Sequence, residues 1–240
     1  MKGVVLAGGT GSRLFPLTRA INKHLLPVGR YPMILHPIAR LKQAGIYKIL
    51  IVTGREDMGS MVKLLGSGRE YGLEFTFRVQ EEAGGIAQAL GLAEDFIQHH
   101  RLIAILGDNI FSEDISPFIA GYLRQETGAK ILLKQVEQPQ RFGVVELEGN
   151  RITGIEEKPL VSKSSFAVTG IYMYDKHVFE VIRSLKPSDR GELEITDVNN
   201  HYIHLGQMTY DILEGWWTDA GTFSSWKDAC RMTWDWELPL

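Results

Sequence analysis

Cysteine and long apolar runs are nearly absent from this sequence of 240 residues. The single cysteine, Cys230, cannot form a disulfide within the chain, and we interpret it as a small buried hydrophobic residue. No stretch approaches the ~20 consecutive apolar residues that a membrane span needs, and the N-terminus lacks the pattern of a secretion signal. We therefore expect a cytoplasmic protein that does not cross a membrane.

Acidic residues are missing from the first 55 positions, which carry nine lysine and arginine side chains. The other 185 residues carry 17 basic and 29 acidic side chains, and the net charge of the whole chain is -3. This overall charge argues against a general nucleic-acid binder, because such proteins are usually basic. A basic segment without acids instead favours binding of a small, multiply charged anion.

The same segment opens with a glycine-rich loop, LAGGTGSR, after a short apolar run. Such a loop lets backbone N–H groups approach phosphates, and a helix after it would add a positive dipole. An ATPase-type loop needs Lys and then Ser or Thr after Gly11, where the sequence has Ser12 and Arg13. A dinucleotide-binding oxidoreductase needs a glycine near position 14 and an acid about 20 positions later, and both are missing. The sequence therefore disfavours both familiar types of phosphate loop.

Strand-like apolar runs alternate with helical segments, which is typical of an α/β protein with a buried sheet. A hairpin signal around Gly149 and Asn150 adds antiparallel strands. We therefore expect a Rossmann-like three-layer domain with a mixed, mostly parallel central sheet. Strands are predicted at 3–6, 49–52, 75–79, 102–106, 130–136, 143–147 and 168–174. Helices are predicted at 32–44, 58–65, 86–96, 115–124, 191–204 and 223–233, with Thr196 and Asp197 as candidate N-caps.

The stretch LAGGTGSRLFPLT, followed by NKHLLPV, resembles the signature of the sugar-phosphate nucleotidyltransferases, and most of all the glucose-1-phosphate thymidylyltransferases. Further blocks resemble the family in family order at 65–73, 80–89, 106–109, 141–145, 156–159, 168–172, 191–199 and 217–222. The resemblance implies nucleotidyl transfer from dTTP to glucose 1-phosphate by direct in-line attack. It also implies Mg2+ as cofactor and pyrophosphate as the second product.

By this resemblance the first half of a single domain, about 1–110, binds the nucleotide. Arg13 and Lys23 would neutralise the triphosphate, although either could be an ordinary surface cation. Gln80 would read the base through the donor and the acceptor of its amide. The other implied nucleotide-binding positions are Leu6, Ala7, Gly8, Gly9, Gly11, Ser12, Gly85 and Asp108.

The second half, about 111–240, would bind the sugar phosphate. Glu157 would accept hydrogen bonds from sugar hydroxyls and Lys158 would meet the 1-phosphate, with Gly143 and Val168 lining the pocket. Without the resemblance, the charge run around Glu157 would be interpreted as a solvated turn.

Two aspartates are the implied metal ligands. Asp108 and Asp219 would hold Mg2+, which prefers carboxylate and phosphate oxygens, and Asp108 would be catalytic together with Arg13 and Lys23. The spacing of the two aspartates in the sequence does not bring them together, and each alone could be a turn residue.

Several residues depart from the thymidylyltransferase pattern: His24 replaces a glutamine, Phe142 replaces a tyrosine, and 81–83 replaces a proline-containing loop. These departures leave a UTP-using uridylyltransferase as an alternative. A catalytically silent regulatory subunit that binds sugar nucleotides is a second alternative, which loss of Arg13, Lys23 or either aspartate would have favoured. We also expect a homo-oligomer, dimer or tetramer, with the aromatic tail as a possible contact.

Overall fold

The computed structural model describes residues 1–240, which form thirteen strands and eight helices. The strands are β1 (Lys2–Ala7), β2 (Pro27–Val28), β3 (Tyr31–Pro32), β4 (Lys48–Gly54), β5 (Glu74–Gln80), β6 (Leu102–Leu106), β7 (Asn109–Phe111), β8 (Ala129–Gln135), β9 (Gly143–Glu148), β10 (Arg151–Glu157), β11 (Phe166–Tyr174), β12 (Met208–Ile212) and β13 (Trp217–Asp219). The helices are α1 (Leu35–Gln43), α2 (Met58–Leu65), α3 (Ile86–Gly91), α4 (Glu94–Ile97), α5 (Ser116–Leu123), α6 (Val178–Ser184), α7 (Ile195–His204) and α8 (Phe223–Thr233). None of these helices has the length and apolar character required to cross a membrane.

Nine strands form one large sheet in the order β10-β9-β11-β6-β1-β4-β5, and β8 pairs with both β11 and β12. Strands β6, β1, β4 and β5 are parallel, so their carboxyl ends meet at one edge of the sheet. Strand β11 runs antiparallel to β6, β8 and β9, and β9 and β10 form the predicted hairpin. The predicted mixed sheet is therefore confirmed, and the antiparallel pairing is concentrated around β11.

Both faces of the sheet are buried under large hydrophobic clusters. The adjacent residues Val4 and Val5 of β1 belong to different clusters, because successive side chains of a strand point to opposite faces. Helices α3, α6 and α7 contribute to one cluster, and α1, α2 and α5 contribute to the other. Burial on both faces explains why the central strands appear in the sequence as continuous apolar runs. The three-layer arrangement is thus confirmed.

Two short strands far apart in the chain form a separate ribbon beside the large sheet. Strand β13 pairs antiparallel with β7, with Trp217 opposite Phe111 and Asp219 opposite Asn109. The ribbon therefore brings the chain after Gly215 back to the carboxyl end of β6. This pairing was not predicted, because strands of three residues carry no detectable periodicity.

The structure corrects two of the helix predictions. The helix predicted over 86–96 is two helices, because Ala93 N donates to Leu90 O three residues back and tightens the chain there. The N-cap prediction for Thr196 and Asp197 is wrong: α7 already begins at Ile195, after an extended Glu194. Helix α6 and strand β12 were not predicted.

The glycine loop is not followed by an α-helix. Three short 3-10 turns occupy 12–14, 17–19 and 23–25 instead, so the segment has no N-terminal helix dipole to offer an anion. Binding of an anion there depends on backbone N–H groups and cations. The interpretation of Cys230 as buried is also wrong, since this side chain is only partly covered on α8.

Candidate active site

A cleft of about 310 Å³ opens at the carboxyl ends of the parallel strands. Open α/β sheets bind their ligands at this edge. Thirteen of the predicted site residues line the cleft: Leu6, Gly8, Gly9, Arg13, Lys23, Gln80, Gly85, Asp108, Gly143, Glu157, Lys158, Val168 and Asp219. The structure therefore brings together residues from both halves of the chain.

Three predicted nucleotide-binding residues do not line the cleft. Ala7 is fully buried at the end of β1, and the side chain of Ser12 is exposed to solvent. Gly11 has a left-handed φ of 66°, which favours glycine. A methyl group there would lie 2.8 Å from the methyl of Thr18, so Gly11 serves the shape of the loop.

Asp108 is buried at the end of β6 and paired with a cation. Its Oδ2 accepts a hydrogen bond from Lys23 Nζ at 2.5 Å. Burial alone would raise the pKa of Asp108, but the charge and hydrogen bond of Lys23 outweigh burial and hold this pKa well below its usual range. The adjacent His24 is neutral, because burial and the Lys23 charge lower its pKa to about 3. Asp108 is therefore ionised at neutral pH.

The β7–β13 ribbon places Asp219 beside Asp108. Asp219 lies opposite Asn109 in the ribbon, and Ala220 N donates to the backbone oxygen of Asp108 at 2.8 Å. Burial and the negative charge of Asp108 together raise the pKa of Asp219 to about 6, against the opposing effect of nearby cations. The two carboxylates thus share one site and differ in their proton affinity.

Two arginines approach Asp219 from the cleft. Arg13 Nη2 lies 4.0 Å from Asp219 Oδ2, and Arg141 Nη2 lies 3.7 Å from Asp219 Oδ1. Their side chains are 59% and 39% exposed, so they can turn towards an incoming anion. We call Arg13, Lys23, Asp108, Arg141 and Asp219 the carboxylate centre.

The two carboxylates face a space that a guanidinium occupies. A methyl group on Gly221 would lie 2.8 Å from Arg13 Nη2 and 3.5 Å from both Asp108 Oδ2 and Asp219 Oδ2, so a cation bound by both carboxylates would replace Arg13 there. Hard divalent cations prefer such oxygen ligands. No group of three or more His, Cys, Asp or Glu side chains could hold a metal ion. A cation at the pair therefore needs further oxygen ligands from a substrate or from water.

Asn109 orients the Asp108 carboxylate. Its Nδ2 donates to Asp108 Oδ1 at 3.2 Å, while its Oδ1 accepts from Gly170 N at 2.9 Å and from Trp217 Nε1 at 2.8 Å. These two donors fix the amide, because neither a backbone N–H nor an indole N–H can accept a hydrogen bond. Asn109 is almost fully buried. Its hydrogen bonds connect the β7–β13 ribbon to β11 and to Asp108, the candidate metal ligand.

A second charged group, the Glu157 cluster, consists of Glu157, Lys158, Arg190 and Thr196. Glu157 Oε2 accepts from Thr196 Oγ1 at 2.7 Å, and its Oε1 lies 3.1 Å from Lys158 Nζ and 3.9 Å from Arg190 Nη2. Lys158 has a backbone φ of 45°, which residues other than glycine rarely adopt. Such backbone strain is concentrated at functional sites. The cluster offers one hydroxyl-binding carboxylate and two cations to the cleft.

The third group, the amide centre, consists of Gly8, Gln80, Gly84, Gly85 and Gln88. A methyl group on Gly8 would lie 2.1 Å from Gln80 Oε1, so the amide oxygen occupies the space that glycine leaves. Gln80 Nε2 donates to Gln88 Oε1 at 2.7 Å and faces Gly85 O at 3.4 Å. Gln80 therefore presents an acceptor, whereas the sequence interpretation gave it both a donor and an acceptor.

The glycine loop joins the amide centre to the carboxylate centre. Gly8 contacts Gln80, and a methyl group on the next residue, Gly9, would lie 3.5 Å from Lys23 Nζ. Gly85 has a φ of 102°, and a methyl group there would lie 2.4 Å from Leu193 O. Gly85 is thus required by the close approach of the chain before α7.

Several polar residues of the cleft were not predicted as site residues, among them Arg141, Arg190, Thr196 and Asn199. Arg141, Thr196 and Asn199 lie inside blocks that resemble the family, and Arg190 directly precedes one, but their side chains carry no separate signal. Asn199 is buried at the cleft wall, where its Oδ1 accepts from Tyr174 OH at 2.5 Å and its Nδ2 has no partner.

Known proteins are similar in sequence to this chain over most of its length. Residues 2–234 match the family model described as nucleotidyl transferase. The chain is 45% identical over 233 residues to a glucose-1-phosphate thymidylyltransferase of Neisseria meningitidis, with 95% of this chain and 81% of that protein covered. It is 40% identical over 235 residues to the glucose-1-phosphate thymidylyltransferase of Mycolicibacterium smegmatis, with the same coverage of both chains.

Solved structures are similar over almost the whole length. A Bacillus anthracis protein, assigned as a glucose-1-phosphate thymidylyltransferase and crystallised with sucrose, superposes with a TM-score of 0.96 at 58% identity. The superposition covers 99% of this chain and 96% of that one. A UDP-glucose pyrophosphorylase in complex with UDP-glucose superposes with a TM-score of 0.86 at 24% identity, covering 97% and 98% of the two chains. That second similarity is evidence of a common fold only.

Proposed function

Because this chain belongs to the nucleotidyl transferase family, we propose that it transfers a thymidylyl group from dTTP to glucose 1-phosphate and releases pyrophosphate. The observation that carries the proposal is the carboxylate centre, where two aspartates and three cations meet inside one cleft. The relatives named above as glucose-1-phosphate thymidylyltransferases support the choice of both substrates.

Arg13 and Lys23 bind the triphosphate in this proposal. A guanidinium can grip two phosphate oxygens, whereas an ammonium acts as a point charge. Gly8 and Gly9 let the loop approach the phosphates, and Arg141 adds a third cation beside Asp219. These cations offset the mutual repulsion of the two anionic substrates.

The carboxylates of Asp108 and Asp219 would hold Mg2+ together with substrate and water oxygens. When bound, Mg2+ supplies positive charge to the phosphate oxygens at the reacting phosphorus. Asn109 keeps Asp108 oriented for this role through the hydrogen bond between Nδ2 and Oδ1. Asp219, whose pKa is raised to about 6, is ionised at neutral pH and can act as a ligand.

The reaction itself needs no nucleophile from the protein. An oxygen of the sugar 1-phosphate attacks the α-phosphorus in line, a new P–O bond forms, and the bond from the α-phosphorus to the bridging oxygen breaks. Pyrophosphate leaves with the electron pair of that bond. Lys158 and Arg190 would position the attacking phosphate, and Glu157 would accept hydrogen bonds from the sugar hydroxyls.

The contribution of the two halves, about 1–110 for the nucleotide and 111–240 for the sugar phosphate, is part of the same proposal. The first half supplies Gln80 and Asp108 to the cleft, and the second supplies Glu157. Assembly into a dimer or tetramer stays a prediction, which light scattering of the purified chain would measure.

The experiment that tests the proposal measures pyrophosphate release with glucose 1-phosphate, Mg2+ and each of dTTP, UTP, dCTP and ATP. We expect the largest kcat/KM with dTTP and a smaller value with UTP, because uracil differs from thymine by a single methyl group. No release with any of the four triphosphates would contradict the proposed function. A larger kcat/KM with UTP would instead identify a uridylyltransferase.

A further inference from the structure

Gln88 lies on α3, behind Gln80 and outside the cleft lining. Its Oε1 accepts two hydrogen bonds, one from Gln80 Nε2 at 2.7 Å and one from Gly84 N at 3.2 Å. The side chain lies flat against Gly84, where a methyl group would approach Gln88 Nε2 to 2.5 Å. Gln88 therefore contacts Gln80, which lines the cleft, but Gln88 does not line the cleft itself.

Backbone groups fix the orientation of both amides. Gly84 N can only donate a hydrogen bond, so the side-chain oxygen of Gln88 must face it. Gln80 must then present its NH2 group to that oxygen, and the carbonyl of Gly85, which can only accept, lies 3.4 Å from the same nitrogen. The NH2 group of Gln80 is thus engaged by two acceptors of the protein, Gln88 Oε1 and Gly85 O.

The remaining atom of the Gln80 amide, Oε1, is free to accept a hydrogen bond from a ligand. It lies against Gly8, a residue of the cleft lining, and it accepts no hydrogen bond from the protein. In this orientation Gln80 is an acceptor only. Thymine and uracil carry an N–H donor at N3, whereas cytosine carries an acceptor at N3, so an oxygen at this position favours thymine or uracil and repels cytosine.

We propose that Gln88 is a positioning residue that locks the amide of Gln80 with its oxygen towards the base, and that this lock discriminates thymine and uracil nucleotides from cytosine nucleotides. The inference rests on the proposed function, because it assigns Gln80 to the base of a nucleotide substrate. Without the acceptor of Gln88, the Gln80 amide could rotate and donate to N3 of cytosine.

The test compares Gln88→Leu, which removes the acceptor at similar size, with Gln88→Glu, which keeps it. We expect the ratio of kcat/KM for dTTP to that for dCTP to fall about tenfold in Gln88→Leu, as the loss of one directional hydrogen bond predicts. Gln88→Glu should keep the wild-type ratio, and the KM for glucose 1-phosphate should be unchanged in both. Glu82→Gln, an exposed change in the same loop, is the matched control.

Calorimetric titration with dTTP and with dCTP separates this inference from the proposed function. If the wild type releases no pyrophosphate with any triphosphate, the proposed function fails, but the ratio of the two dissociation constants still tests Gln88. The inference is overturned if folded Gln88→Leu keeps the wild-type ratio, or if the wild type binds both nucleotides equally. Gln88→Ala replaces the leucine variant should that variant not fold, as judged by its thermal transition.

Discussion

The carboxylate centre and the amide centre lie in one cleft but use different kinds of interaction. At the carboxylate centre, each of three cationic side chains lies within about 4 Å of one of two carboxylates, and burial and neighbouring charges shift the pKa values of the two aspartates in opposite directions. At the amide centre, every group is neutral, and the hydrogen bonds among them are already made. The carboxylate centre therefore interacts with the charge of a bound group, whereas the amide centre depends on the direction of its hydrogen bonds.

This difference indicates that the carboxylate centre would determine the rate of transfer and the amide centre the choice of base. Charge acts at all four triphosphates alike, so the carboxylate centre can accelerate transfer without distinguishing bases. A hydrogen-bond acceptor in a fixed position adds little to the binding of phosphates, but it disfavours a base that carries an acceptor at N3. Changes at the first centre should therefore alter the rate with every nucleotide, and changes at the second should alter the choice among nucleotides.

The largest effect is expected from Asp108→Asn. Loss of the charge removes a proposed metal ligand and the anionic partner of Lys23 Nζ, so kcat should fall about 10³-fold with every triphosphate. Steady-state pyrophosphate release measures the rate, and circular dichroism checks the fold. Asp235→Asn, at an exposed position far from the cleft lining, is the control. Near-normal activity of Asp108→Asn would contradict the assigned role.

A smaller effect, confined to the amide centre, is expected from Gly8→Ala. The new methyl group would lie 2.1 Å from Gln80 Oε1 and would displace the amide, so kcat/KM for dTTP should fall about 100-fold. The preference for dTTP over dCTP should fall with it. Gly59→Ala, where a methyl group meets no atom within 4 Å, should leave both quantities unchanged. Equal kinetics of the two alanine variants would show that the close contact is unimportant.

The smallest effect concerns stability in the absence of metal. The pKa of Asp219 is raised to about 6, so the folded chain holds a proton that the unfolded chain releases. This stabilisation is fully present below the unfolded pKa of 3.8 and is lost as the pH rises through about 6. In a chelator, its contribution to the free energy of unfolding should fall by about 1 kcal/mol between pH 5 and 7.

Urea denaturation of the wild type and of Asp219→Asn at several pH values measures this contribution. The variant should lack the component of the pH dependence that is centred near pH 6, because an amide has no proton to lose. Parallel pH profiles for the two chains would refute the raised pKa.

The sequence allowed the large sheet to be predicted because strands buried on both faces are continuous apolar runs, as in β1 and β6. Composition alone also identified residues 1–55 as a basic segment without acids, but the choice of Arg13 and Lys23 among its nine cations depended on the resemblance to the family. The break between α3 and α4 could not be predicted, because a single turn with a three-residue hydrogen bond leaves the apolar pattern intact.

The partners within the site were harder to predict. The proximity of Asp219 to Asp108 depends on the pairing of two three-residue strands, and nothing in their sequences specifies that pairing. Gln88 looks like any polar position on an amphipathic helix, and only the positions of Gly84 N and Gln80 give it a role. Directional contacts between distant residues need coordinates, whereas charge and apolarity can be recognised in the chain.

The β7–β13 ribbon also imposes an order in time on the assembly of the site. A growing chain exposes Asp108 more than 100 residues before Asp219 is added. All nine strands of the large sheet are complete by then, since the last of them ends at Ile212. The second carboxylate arrives only when β13 closes on β7. A nascent polypeptide can therefore form the sheet first, and it gains the pair of aspartates as one of its final steps during synthesis.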